Sequence, residues 1–301
     1  MFLISRQINK SVKALRIFRD SYLLDRFVKM SDIEEYYVEI LRLVKEAGSI
    51  VREKIYQCKD AMTKSCDVDL VTEWDRKVEK LLMDGISSKF PDHKFIGEET
   101  TSLGKKAELT DAPTWIIDPI DGTMNFVHGL PHTCISVGLH IGKVAEIGVV
   151  YNPILEQLFT ARRGKGAFLN GAPIQVSGQK ELRKALIMVE MGTSRDPEKM
   201  KVVFQNVNIL IPQIHGMRAL GSAALNMCMV ALGGADICFE YGIHAWDIAA
   251  GDLIVREAGG VCIDPAGGPF DVMSRRVLCA SSMELAQELC KQLVQYYPER
   301  D

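Results

Sequence analysis

No apolar run in this 301-residue chain approaches the roughly 18 residues that a membrane-spanning helix needs. The most apolar stretches are interrupted by charge, as in Leu253-Ile254-Val255-Arg256. No membrane span is therefore expected. No C-x-x-C pair joins the eight cysteines, Cys58, Cys66, Cys134, Cys228, Cys238, Cys262, Cys279 and Cys290. Scattered cysteines among apolar neighbours, as in Val261-Cys262-Ile263 and Val277-Leu278-Cys279-Ala280, read as reduced core thiols rather than a zinc site or a disulfide framework. No excess of one charge exists: 36 Lys+Arg face 39 Asp+Glu, a net charge of −3, which excludes a globally basic nucleic-acid binder. The pair Arg275-Arg276 is too small a basic footprint to alter that. Neither phosphate-binding glycine spacing is present, so Gly164-Lys165-Gly166 and Gly233-Gly234 read as turns. His128, His132, His215 and His244 are not spaced as zinc ligands. No repeat, low-complexity tract or Pro/Gly linker interrupts the chain.

What is present is a full apolar share, 47%, with 25% charged residues. That balance argues for an ordered chain with a sizeable core, as one large domain or two of ordinary size. One segment stands apart. Residues 1–29 carry seven basic side chains and two acidic ones, Asp20 and Asp25. They lack the apolar stretch and cleavage site of a secretory signal. The segment reads as a disordered extension, or as the region upstream of an alternative start at Met30, in preference to a mitochondrial transit peptide. Ser31-Asp32-Ile33-Glu34 would then cap the first helix. The expected compartment is the cytoplasm, and residues 30–301 are expected to form one catalytic domain, with sub-halves meeting near 180–185.

Helical periodicity predicts helices from Ile33 to about Gln57, from Thr72 to Pro91, and over Pro197–Ile209, Ser222–Leu232, Trp246–Ala258 and Ser282–Tyr296. Strands are predicted at Lys94–Ile96, Thr114–Ile117, Ser136–Ile141, Glu146–Tyr151, Gln157–Arg162, Ala185–Glu190, His215–Leu220 and Ala235–Glu240, with a hairpin turn at Asn170-Gly171. This order predicts an α+β or α/β protein in layers.

The chemistry collects at strand ends and is acidic: Glu98 and Glu99, Asp118 and Asp121, and Asp247. Taken singly, Glu98-Glu99 could be solvated surface and Asp247 could cap its helix. Asp118-Pro119-Ile120-Asp121 is more informative. Pro119 holds Asp118 extended, and the following turn lets Asp121 face the same point. Adjacent carboxylates repel unless a cation lies between them. Oxygen-only ligation without His or Cys points to Mg²⁺, Mn²⁺ or Ca²⁺. Gly122-Thr123 adds N–H groups and a hydroxyl that would form an anion site at a helix start. Metal beside a phosphate cradle is the arrangement of metal-assisted phosphate hydrolysis.

Two longer segments carry a resemblance. Trp115-Ile116-Ile117-Asp118-Pro119-Ile120-Asp121-Gly122-Thr123-Met124-Asn125-Phe126-Val127-His128 and Trp246-Asp247-Ile248-Ala249-Ala250-Gly251-Asp252 through Glu257-Ala258-Gly259-Gly260 resemble the two signatures of the inositol monophosphatase family. Gly97-Glu98-Glu99 and Asp69-Leu70-Val71-Thr72-Glu73-Trp74-Asp75 match two further family segments in order, and the likeness covers roughly residues 32–296. Glu240-Tyr241-Gly242-Ile243-His244-Ala245-Trp246-Asp247 is similar to the animal enzymes, with Ser222 and Ala245 as modest departures.

The resemblance implies an α-β-α-β-α sandwich of the inositol monophosphatase and fructose bisphosphatase superfamily, usually a homodimer. It implies two or three Mg²⁺ per site, held by Glu98, Asp118, the Ile120 carbonyl, Asp121 and Asp247. Glu98 and Thr123, the latter bonded by Asp75, would orient the attacking water. Ile120, Asp121, Gly122, Thr123, Gly221, Ser222, Ala223, Glu240 and Asp247 would contact substrate, with Lys64 on a loop near the phosphate. The activity implied is hydrolysis of myo-inositol monophosphates, sensitive to lithium. Related sugar-phosphate or nucleotide 3′-phosphatases are the alternative, and a non-catalytic scaffold a remoter one.

Overall fold

The computed structural model describes residues 32–57, 61–63, 70–104 and 108–301. The 1–29 extension, Lys64, Asp69, Cys58 and Cys66 lie outside the described residues. The chain divides into two units, 1–41 and 42–301. Of the first, 32–41 are described and helical. In the second, residues 42–54 are helical, here α1.

Two sheets organise the second unit, besides a short pairing of β1 (Ala61–Thr63) with β2 (Leu70–Thr72). The larger has seven strands in the order β3 (Lys94–Gly97), β4 (Thr114–Asp121), β5 (Cys134–Ile141), β6 (Val144–Asn152), β7 (Gln157–Arg162), β8 (Ala167–Leu169) and β9 (Ala172–Ile174). β3 and β4 are parallel and every later pair is antiparallel. The smaller sheet runs β11 (Gly216–Arg218), β10 (Leu186–Val189), β12 (Ile237–Tyr241), β14 (Arg276–Ala280), β13 (Val261–Ile263).

The helices make the remaining layers. α1 and α2 (Glu73–Lys89) cover the larger sheet, with Arg52 donating to the Pro153 carbonyl at 2.7 Å and α2 packed on β4. Between the sheets lie α6 (Ala223–Ala231) and α7 (Ala245–Glu257), which touch strands of both. Their core joins Ile116, Val150 and Phe159 of one sheet to Met188, Cys238, Val277 and Cys279 of the other. α5 (Pro197–Leu210) and α8 (Met283–Cys290) form the last layer with Ile187, Ile237, Phe239, Tyr241 and Leu278. The expected α-β-α-β-α sandwich is what the chain forms.

Each buried Ile, Leu or Phe contributes about 1.5–3 kcal/mol, whereas an exposed pair adds about 0.2–1 kcal/mol. The two clusters hold the layers, and surface pairs such as Lys77–Glu73 and Lys80–Asp84 do little. Period-2 alternation also sets up the site. On β12, Ile237, Phe239 and Tyr241 face α5 and α8, and Cys238 faces the middle layer. Glu240, two residues after Cys238, therefore shares its side, at the end of the strand.

The described cysteines are free, and burial pushes the thiols of Cys134, Cys228, Cys262 and Cys279 well up. Five of the six described cysteines are buried core groups, and Cys290 is half-buried. The last helix departs from expectation, ending at Cys290 rather than Tyr296. Tertiary hydrogen bonds take over the backbone there: Asn206 bonds both the Val294 N–H (2.8 Å) and carbonyl (2.9 Å), and Arg276 donates to the Tyr296 carbonyl at 2.7 Å. β8 and β9 are the arms of the hairpin expected at Asn170-Gly171, whereas β13 and β14 are short strands that the pattern did not announce.

Candidate active site

β4 carries its pairing past the predicted end at Ile117, but the register shifts between Asp118 and Asp121. In a regular strand, residues three apart point to opposite faces. The irregularity removes that alternation, and the Ile120 N–H donates to Asp118 Oδ1 at 3.0 Å to fix the turn. Gly122 follows with φ 82°, a left-handed conformation, and caps the six-residue α4 (Thr123–His128). A Cβ there would fall 2.9 Å from the Gly221 carbonyl, so glycine is required twice over.

Asp247 arrives from the far end of the sequence as the third residue of α7. Its Oδ2 accepts from the His244 N–H at 2.7 Å, so it does cap its helix. Its other role is spatial: carboxylate oxygens of Asp118, Asp121 and Asp247 all lie within 4.8 Å of one another. Burial first, and then the neighbouring carboxylates, push Asp118 well above the usual range. Asp121 is pushed up to about 7 and Asp247 to about 6, burial again being the largest cause. Such a trio is strained by its own charge and fits a hard divalent cation.

The supporting contacts are tertiary. Asp121 Oδ2 accepts from the Ser222 hydroxyl at 2.5 Å and from the Ala224 N–H at 2.8 Å. Thr123 Oγ1 lies 3.0 Å from the Ile120 carbonyl and 3.3 Å from Asp75 Oδ1. Asp75 is fully buried and caps α2 through the Thr72 N–H at 2.8 Å. Glu98 opens α3 (Glu98–Ser102), where Glu79 accepts from the Glu99 N–H at 3.0 Å and anchors the turn.

These groups surround a cleft of about 520 Å³ lined by Glu98, Asp118, Asp121, Thr123, Glu240 and Asp247, among others. Ile120, Gly122, Gly221 and Ala223 also line it. Ser222 does not; it is buried, and its hydroxyl is spent on Asp121. Asp75 stands behind Thr123.

The sequence profile of the Inositol monophosphatase family matches residues 32–297. The chain belongs to that family. Human Inositol monophosphatase 1 is 50% identical over 261 residues, 86% of this chain and 94% of that protein. Human Inositol monophosphatase 2 is 44% identical over 261 residues, 86% and 91% of the two chains. The fold is similar to that of an IMPase from Thermotoga maritima at a TM-score of 0.76 and 32% identity, covering 86% of this chain and 96% of that one.

In this inositol monophosphatase-family chain, two site carboxylates escape a reading by motif. Glu79 is a mid-helix residue with nothing local to mark it. Glu190 accepts from the Leu220 N–H (2.7 Å), the Gly221 N–H (2.8 Å) and Asn226 Nδ2 (2.8 Å), tying the end of β10 to the loop before α6.

Proposed function

We propose that this cleft hydrolyses myo-inositol monophosphates to inositol and phosphate, with Mg²⁺ as the cation, two or three per site. The observation that carries the reading is the buried trio Asp118, Asp121 and Asp247 in one cleft with Glu240. Asp118, Asp121, Asp247, Glu98 and the Ile120 carbonyl would hold the metal. Bound Mg²⁺ supplies positive charge to phosphoryl and leaving oxygens and acidifies water. Thr123 spends its proton on the Ile120 carbonyl or on Asp75, leaving its lone pairs to accept from the attacking water. Glu98 accepts the proton that this water loses. Direct water attack fits the side chains present, since the Cys134 thiol is buried with its pKa pushed up and the Ser222 hydroxyl is held by Asp121. Glu240, a carboxylate facing the cleft, suits the vicinal hydroxyls of a polyol better than a nucleobase.

Phosphate release from myo-inositol 1-phosphate, galactose 1-phosphate, fructose 1,6-bisphosphate and 3′-phosphoadenosine 5′-phosphate with Mg²⁺ tests the substrate. Inositol phosphate is expected to lead, with Li⁺ inhibition uncompetitive towards it. A lead for the nucleotide, or competitive inhibition by Li⁺, moves the chain to a different branch of the superfamily. The family resemblance supports a homodimer, and the free thiols suit a cytoplasmic setting. No helix of the described residues is long and apolar enough to cross a membrane.

The raised carboxylates make metal binding pH-dependent. A carboxylate raised on folding favours the folded state below its unfolded pKa of about 3.9 and loses that contribution as pH rises through its folded value. For Asp247 and Asp121 those folded values are about 6 and about 7. The metal-free protein is therefore expected to lose stability across this window, and Mg²⁺, which binds only ionised carboxylates, to restore it. The Mg²⁺-induced rise in Tm should be small at about pH 5 and reach several degrees by about pH 8. A rise of equal size at both pH values contradicts the assignment.

A further inference from the structure

We propose that Lys199 is a positioning residue for the polyol end of the cleft, its buried ammonium serving as the countercharge that favours the ionised form of Glu240 and holds it in place to accept substrate hydroxyls. The proposal rests on the reading of Glu240 given above. Lys199 sits in the first turn of α5 and is 1% exposed, one of the largest fully buried side chains among the described residues. Its Nζ has no hydrogen-bond partner, and neither has the buried Oε2 of Glu240. The two groups meet at Gly192. A Cβ built there would fall 2.6 Å from Lys199 Nζ and 3.4 Å from Glu240 Oε1. Gly242, the second residue after Glu240, leaves similar room, its Cβ position lying 3.2 Å from the same Nζ. Both glycines line the cleft, so the ammonium lies directly behind its wall.

A buried lysine that only stabilised the fold would be expected to spend its three protons on backbone or carboxylate acceptors. This one spends none, and a carboxylate that lines the cleft lies across Gly192 from it. The surrounding charges explain why it is needed. Burial most of all, and then Glu190, push Glu240 well above the usual carboxylate range, with Lys199 opposing them. Burial most of all, and then Arg275 and Arg195, press Lys199 towards neutrality, with Glu240 the main opposing charge. Without the lysine, Glu240 would take up a proton more readily and lose the charge-assisted bonds that recognise vicinal hydroxyls.

The test is steady-state kinetics on myo-inositol 1-phosphate with Mg²⁺, for the full chain and for Lys199→Met, Glu240→Gln and the double variant. Lys199→Met should raise KM about tenfold, the scale of one charge-assisted bond, with kcat within about twofold. The double variant should be no worse than Glu240→Gln, because no carboxylate remains to be held. An unchanged KM in Lys199→Met beside a raised KM in Glu240→Gln overturns the role of Lys199 and leaves the inositol reading intact. An unchanged KM in Glu240→Gln overturns both. Effects that multiply in the double variant, or failure of both Lys199 variants to fold while Glu240→Gln folds, assign Lys199 a structural role and overturn the proposal. Failure of Lys199→Met alone, with the double variant folded, supports it, since the stranded carboxylate is then the cause.

Discussion

Asp121→Asn is expected to lower kcat by at least about a thousandfold, because metal stabilisation of developing charge is worth several kcal/mol. The substitution keeps the volume and keeps an oxygen that can accept from Ser222 and from the Ala224 N–H, so the junction of β4 with α6 should survive. What it removes is one charge of the buried trio. The same change should leave the metal-free protein as stable as before, or more stable, at pH above about 7, since the native trio repels itself once ionised. Activity and stability are therefore expected to move in opposite directions, which an unfolding artefact would not produce. Circular dichroism melts with EDTA and kinetics at saturating Mg²⁺ read the two effects separately. Near-normal turnover at saturating Mg²⁺ would remove Asp121 from the metal site.

What the sequence disclosed of this centre followed from how local each feature was. Asp118 and Asp121 lie in one tetrapeptide whose proline and turn could be reasoned about directly, and they do converge. Asp247 was readable only as a cap or through resemblance. Its closeness to Asp118 depends on α7 lying between two sheets, which no local pattern contains. Glu79, Glu190 and Lys199 look like ordinary surface charges in the sequence. The groups that they face lie 20, 30 to 36, and 41 residues away, on elements brought together by tertiary packing. Periodicity located the outer helices because one face of each is apolar, and apolar runs bounded by turn residues located the central strands, which are buried along almost their whole length. It failed at residues 291–296, where apolar spacing continues but side chains of α5 and β14 capture the backbone. Ser222 shows the converse. Resemblance placed it against substrate, whereas its hydroxyl points at Asp121 and acts one step behind the cleft.

Thr123→Val should be the most informative change outside the carboxylates. Valine keeps the β-branch and shape at the first residue of α4 and deletes only the hydroxyl. With it goes the acceptor proposed for the attacking water, a hydroxyl oriented by the contacts to Ile120 and Asp75. A positioned proton-handling group is worth about 10²–10⁴ in rate, so kcat should fall within that range while KM changes little. Asp75→Asn should act through the same hydroxyl and do less, about 10–100-fold, as expected of a group that only orients another. Asparagine also retains an oxygen for the Thr72 N–H, so the cap of α2 should hold, whereas alanine would cost about 1 kcal/mol there. The double variant separates the explanations. If Asp75 serves only to set the Thr123 hydroxyl, Thr123→Val/Asp75→Asn should turn over no more slowly than Thr123→Val alone. Multiplicative losses would mean that Asp75 reaches the reaction by a route that does not pass through Thr123.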